Sequence, residues 1–254
     1  MSVLLLDIGN TNTHVGLGGP RRVLRHSNFP TSNWFDNKAE TALRGFLHNA
    51  VPEAVAFCSV VPRATVRVRE AVKRLWKISA LELTSQTVPG LGIDYPKPKT
   101  IGPDRLANAL AAQHLYGAPV VVVDFGTAVT FDVVNRRGDY AGGIIAPGLA
   151  AMTEYLHEKT ALLPRITIRE PDGILGKSTE QAMLVGAVHG YRGLIKQLVL
   201  ELKRELGASR LPVVATGGYG TLIARRLPEI TSVAPLLTLE GLRLFWQGSR
   251  RAQG

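Results

Sequence analysis

Two stretches of this chain carry nearly the same message, and nothing else in it limits the fold so strongly. Residues 3–13 run Val-Leu-Leu-Leu-Asp7-Ile8-Gly9-Asn10-Thr11-Asn12-Thr13, and residues 121–130 run Val-Val-Val-Asp124-Phe-Gly126-Thr127-Ala-Val-Thr130. Each reads as a buried apolar strand entering Asp-x-Gly-(Asn/Thr)-x-x-Thr, followed by more strand-like residues at 14–17 and 131–134. A glycine two residues after an aspartate permits a tight turn and exposes backbone N–H groups to an anion. The aspartate brings a carboxylate for a cation, and the Asn and Thr side chains bring donors for phosphate oxygens. One such turn is weak evidence, because Asp and Gly populate turns everywhere. Two at one spacing predict a duplicated domain whose loops face each other across a cleft and clamp a nucleotide's phosphates.

The repeat divides the 254 residues into two expected halves, 1–117 and 118–254. Apolar residues are 45% and charged residues 20%, enough for an ordinary globular core. No run of about 18 apolar residues occurs, so no membrane span is expected. The apolar stretch 3–6 is too short for a signal peptide and lacks a basic leader. The single cysteine, Cys58, precludes an intrachain disulfide and fits a reducing cytoplasm; after Val55-Ala56-Phe57 it reads as a small buried residue. The net charge of +10 is spread over scattered Lys and Arg, and aromatics are only 6%. Such an excess attracts anionic ligands, nucleotides included, without identifying a nucleic-acid-binding module.

Helical spacing of Ala39, Leu43, Phe46 and Leu47 predicts a helix within 33–49, and Pro62 suits the first position of another over 63–76. Short strands are expected at 55–59 and 81–83. Residues 87–103 are rich in Pro and Gly and read as an irregular loop. That loop ends in Gly102-Pro103-Asp104-Arg105, with an Ala-rich helix from Leu106 to Tyr116. Proline costs nothing at a helix's first position, so Asp104 and Arg105 fall in the first turn, where the helix dipole favours a carboxylate. Ser178 and Gln181 match a capping box opening a long helix to Leu206, stopped by Gly207. Gly186, Gly190 and Gly193 weaken that helix by roughly 1 kcal/mol each; close helix approach, within one subunit or across a dimer, would explain them. Residues 212–220 give a third strand-to-glycine turn, whose Gly217-Gly218 pair lets a flat ring lie against bare backbone. The alternation predicts an α/β fold of two similar ribonuclease H-like halves, with the logic of the actin-like ATPase/sugar-kinase architecture.

In order and spacing these motifs resemble those of the type III pantothenate kinases over nearly the whole chain. The resemblance rests on Asp7–Thr11, Gly102–Arg105, Asp124–Thr127, Gly142–Gly148, Ser178-Thr179, Thr216–Gly218 and Leu239–Leu242. The family usually carries Gly-Ala-Asp-Arg where this chain has Gly102-Pro103-Asp104-Arg105; proline should preserve the helix start and stiffen the loop before it. The resemblance implies ATP-dependent phosphorylation of pantothenate to 4'-phosphopantothenate, the first step of coenzyme A synthesis. It implies Asp104 as general base, with Tyr95, Gly102, Pro103, Arg105 and Thr179 as further substrate contacts. It places ATP on Asp7, Ile8, Gly9, Asn10, Thr11, Asn12, Thr13, His14, Thr127, Gly217 and Gly218. It also implies Mg²⁺ at Asp7, a monovalent cation (K⁺ or NH₄⁺) at Asp124, and a homodimer.

From the residues alone, Asp104 could equally be a helix-first-turn carboxylate, Tyr95 a loop residue packed on the prolines, and Thr179 a cap beside Ser178. His14 reads as an exposed or supporting residue of its loop, and His189 as an ordinary packed histidine. No His/Cys cluster has zinc-ligand spacing, and the Walker A pattern of P-loop kinases is absent. Two other readings compete. One is a regulatory nucleic-acid-associated protein, as relatives labelled Bvg accessory factor have been described, although no recognition element is found. The other is a phosphotransferase of the same superfamily acting on a sugar or polyphosphate.

Overall fold

The computed structural model describes residues 2–251 and resolves them into two compact units. The first unit runs from the amino-terminal strand to Leu115 and takes in Gly138–Tyr140 and the segment from Leu236 onward. The second holds Tyr116–Arg137 and Ala141–Pro235. The expected halves 1–117 and 118–254 therefore differ from these units, mainly in the last helix, which packs on the first unit. No helix among the described residues is long and apolar enough to cross a membrane.

The first unit is built on strands β1 (Val3–Ile8), β2 (Asn12–Gly18), β3 (Val23–Pro30), β4 (Ala54–Ser59) and β5 (Ala80–Glu82), in the order β3-β2-β1-β4-β5. β2 runs antiparallel to β1 and β3, whereas β1, β4 and β5 are mutually parallel. Residues 3–6 are fully buried, as a central strand covered on both faces demands. Leu4, Leu6, Ile8, Val55 and Phe57 form one core with helices α1 (Lys38–Phe46) and α2 (Pro62–Trp76). Side chains alternate along a strand, so Val3, Leu5 and Asp7 share the other face. On that face Leu239 and Arg243 of the last helix, α7 (Leu237–Arg251), lie against Gly16 and Gly18. Helix α3 (Pro103–Tyr116) meets α7 backbone to backbone: a Cβ at Gly241 would lie 2.0 Å from the Ala107 carbonyl oxygen. Only glycine fits there, which explains the carboxy-terminal Leu-Glu-Gly-Leu motif and why the last helix belongs to the first unit.

The second unit repeats the plan. Strands β7 (Val120–Phe125), β8 (Ala128–Val134), β9 (Asp139–Pro147), β10 (Val213–Thr216) and β11 (Ser232–Val233) lie in the order β9-β8-β7-β10-β11, the counterpart of the first sheet. The core of this unit joins β7, β8 and β10 to helices α4 (Leu149–Lys159), α5 (Thr179–Glu205) and α6 (Gly220–Ala224). The first residues of β9, Asp139 and Tyr140, belong to the first unit and pair in parallel with β6 (Gly92–Ile93). The two hairpins differ by one residue: Asp7 pairs with His14, but Asp124 pairs with Thr130. Thr13 and Thr130 are thus equivalent in sequence spacing and not in position.

Candidate active site

The first loop joins β1 to β2, and its geometry corrects one expectation. The Gly9 N–H donates to the Asn12 carbonyl at 3.0 Å, and the Gly126 N–H donates to Ala128 at 3.1 Å. Both glycine amides close their own turns, so neither is left to meet an anion. Ile8 has a fully buried side chain in the apolar core, and the Thr13 hydroxyl is equally enclosed. Asn10, Thr11, Asn12 and His14 remain exposed. Shielding by neighbouring atoms, aided by His26, holds the His14 imidazole below its usual pKa and so neutral at physiological pH.

Thr13 has a different task. Trp34 Nε1 donates to the Thr13 hydroxyl at 3.0 Å, Thr13 and Thr31 hydroxyls pair at 3.1 Å, and Thr31 Oγ1 donates to the Gly9 carbonyl at 2.8 Å. Since the Thr31 proton is committed to Gly9, Thr13 must donate to Thr31, which fixes the direction of the whole chain of bonds. The Thr31 N–H also donates to the Thr11 carbonyl at 2.9 Å. Each bond contributes about 1 kcal/mol, and hydrogen bonds in series strengthen one another. Thr31 and Trp34 thus brace the first loop from below, and no sequence motif marks them for this.

Asp7 is half-buried, and parallel pairing sets it beside Cys58 of β4. The Cys58 thiol donates to Asp7 Oδ1 at 3.4 Å. Burial pushes this thiol well above its usual pKa, and the charges of Asp7 and Asp104 push it further. It is therefore a neutral donor. Asp7 acts on this thiol through the hydrogen bond and its charge, and Asp104 through its charge. Asp104 sits at the second position of α3, with Pro103 at the first as expected. The Arg105 N–H donates to Asp104 Oδ1 at 2.9 Å. Desolvation raises the Asp104 pKa above the ordinary carboxylate range, outweighing the Arg105 N–H and guanidinium, which act the other way. Gly102 has a steric role: a Cβ there would stand 2.5 Å from Asp104 Oδ1.

Tyr95 and Arg105 converge on a residue that sequence reasoning missed. The Tyr95 ring meets the Tyr140 ring edge-on with centroids 6.1 Å apart, and the Arg105 guanidinium lies 5.8 Å from the Tyr140 centroid. Tyr140 is fully buried.

In the second unit, Asp124 and the glycine turn come together. Thr216 is the parallel neighbour of Asp124, and Gly217 follows it with φ of +82°. A Cβ at Gly217 would lie 2.5 Å from Asp124 Oδ1 and 2.7 Å from the Phe125 backbone. Gly218 is exposed, with open space where a Cβ would stand. Thr127 is exposed, and its carbonyl accepts from the Gly148 N–H at 3.2 Å. Gly148 opens α4, and a Cβ there would stand 2.2 Å from the Thr127 carbonyl oxygen, so glycine alone lets that helix start against the second loop. Thr179 is the first residue of α5 and exposed. Ser178 caps the helix, its Oγ accepting from the Gln181 N–H at 3.2 Å, so Thr179 is not needed as a cap.

Solved structures place this architecture among the actin-like ATPases and sugar kinases. MreB 5 of Spiroplasma citri, bound to AMPPNP, superposes with a TM-score of 0.58 at 11% identity over 99% of this chain and 98% of that one. The activator of 2-hydroxyisocaproyl-CoA dehydratase from Clostridium difficile, with bound ADPNP, does so at 0.55 and 12%, over 100% and 97%. Sequence is more particular. The family model for type III pantothenate kinase matches residues 3–201, and the chain belongs to that family. It is 47% identical to a type III pantothenate kinase of Akkermansia muciniphila over 96% of this chain and 98% of that protein. It is 43% identical to one of Methylacidiphilum infernorum, over 96% and 87%.

Proposed function

We propose that the protein transfers the γ-phosphoryl group of ATP to the primary hydroxyl of pantothenate, giving 4'-phosphopantothenate for coenzyme A synthesis. The observation that carries this reading is Asp104, held in the first turn of α3 with its Oδ1 accepting the Arg105 N–H at 2.9 Å and its proton affinity raised by desolvation. Phosphoryl transfer asks for alignment and charge neutralisation more than covalent help from protein groups. Asp104 accepts the hydroxyl proton as the new P–O bond forms, and its raised pKa makes it a stronger base for that step. Arg105 and Tyr95 orient pantothenate in the first unit, where Asn10, Thr11 and Asn12 donate to phosphate oxygens. In the second unit Thr127 serves phosphate, the Gly217-Gly218 turn serves adenosine, and Thr179 is a pantothenate contact by the family resemblance.

The donors suit the cations that the family implies. Asp7 and Asp124 offer hard carboxylate oxygens, and Asp124 Oδ1 lies over the bare Cα of Gly217 in a hollow that any side chain would fill. Asp7 would hold Mg²⁺ and Asp124 a monovalent cation, K⁺ or NH₄⁺; when bound they neutralise charge on the transferring phosphate. A homodimer is part of this reading. Among the described residues nothing lies within 4 Å of a Cβ built at Gly186, Gly190 or Gly193. Close packing within the subunit therefore does not account for them, and this open face of α5 leaves room for a second copy. Reducing cytoplasm is the expected setting for a chain with one buried cysteine.

Purified protein should convert pantothenate and ATP to phosphopantothenate when Mg²⁺ and K⁺ or NH₄⁺ are supplied, read by coupled ADP release and product mass. No turnover with both cations present ends the kinase reading. A salt-sensitive DNA shift that discriminates between sequences would put a regulatory role in its place.

A further inference from the structure

We infer that Tyr140 is the positioning residue for the pantothenate contacts, an assignment that rests on the reading of Tyr95 and Arg105 given above. Three separate contacts support it, all inside the first unit. The Tyr140 and Tyr95 rings meet edge-to-face at a centroid distance of 6.1 Å and an interplanar angle of 70°. The ring face lies 5.8 Å from the Arg105 guanidinium carbon. The Tyr140 backbone pairs with Ile93 and accepts the Asp94 N–H at 2.9 Å, holding the residue just before Tyr95.

Tyr95 itself lies in an irregular, proline-rich stretch and is 37% exposed, so its own segment does little to fix its ring. Arg105 carries a long side chain with many rotamers. Tyr140 is fully buried and has one place to be. Its strand is anchored next to α3, where Gln113 Nε2 donates to the Gly138 carbonyl at 2.9 Å. An edge-to-face ring pair and a cation over an aromatic face are both directional, so one buried ring orients two side chains at once. Tyr140 does not act on the reacting atoms; it acts through the two residues that hold the acceptor.

The test uses the full-length enzyme and two variants. Tyr140→Phe keeps the ring and should leave both KM values within about two-fold of wild type. Tyr140→Met fills the space without a π face; it should raise the KM for pantothenate about ten-fold and leave the KM for ATP and kcat nearly unchanged, the pattern of lost substrate binding. Equal changes in both KM values, or a kcat loss that follows the folded fraction, would make Tyr140 merely structural and overturn the inference. If Tyr140→Met does not fold, ring-fluorinated phenylalanine at 140 keeps the shape while weakening the negative ring face, and the same selective rise in KM is expected. An unchanged pantothenate KM there overturns it as well. Arg105→Ala separates the two levels. If it too leaves the pantothenate KM unchanged, the acceptor reading fails; if it raises that KM and the Tyr140 variants do not, only the inference fails.

Discussion

Asp104 is a helix-first-turn carboxylate, and the surroundings that would suit it to the proposed role of base come at the expense of stability. Its pKa is raised because desolvation outweighs the neighbouring N–H and guanidinium. A carboxyl group with a raised pKa in the folded state binds more protons there than in the unfolded chain. Stability therefore falls as pH rises from the unfolded carboxylate value through the folded one, and stays lower above it. Asp104→Asn removes that penalty and keeps an acceptor for the Arg105 N–H. It should lower kcat by about 10³-fold, the order contributed by a general base, while the melting temperature holds or rises. In the wild type the acid limb of kcat/KM should lie above the ordinary carboxylate range. An acid limb at the usual aspartate value, or an Asn variant with near-native turnover, would remove Asp104 from the chemistry. Beside it, Cys58 is legible in sequence as a buried residue and not as a donor to Asp7, since only strand pairing brings the two together.

Glycines at element ends decide how near the second loop, its helix and the Gly217-Gly218 turn can stand. Gly217 combines a left-handed φ of +82° with a 2.5 Å approach to Asp124 Oδ1, so alanine there meets both backbone strain and a carboxylate. Left-handed backbone costs a residue with a Cβ roughly 1–2 kcal/mol before any clash is counted. Gly217→Ala should lower the melting temperature by several degrees and raise the KM for ATP about ten-fold, as thermal scans and initial rates would read. An unchanged ATP KM would detach this turn from the nucleotide. The hairpins teach the limit of motif reading at this scale. Their Asp-to-Thr spacing is identical, yet one turn is a residue longer, and the extra residue rotates Thr13 into the core beneath the first loop.

At the scale of the whole chain, helix α5 presents Gly186, Gly190 and Gly193 with no atom near enough to require glycine. The same unit also carries exposed apolar side chains, among them Ile145, Tyr155, Leu162, Ile174 and Leu175. The proposed homodimer predicts that Gly190→Glu shifts the sedimenting species from dimer to monomer, whereas Gly190→Ala leaves it paired. A wild-type monomer at micromolar concentration would refute the pairing.

How much was legible follows from range. The duplicated strand-and-loop pattern, the Pro103 helix start, the Ser178 cap and the candidate residues around Asp7, Asp104 and Asp124 are local, because hydrophobic period, caps and turn residues act within a few positions. Tertiary structure alone decided which groups meet: Thr31 and Trp34 under the first loop, Cys58 on Asp7, Tyr140 between Tyr95 and Arg105, and α7 folded back onto α3. Those contacts join residues far apart in the chain, and the close approach of strands and helices, which only the assembled core imposes, selects them.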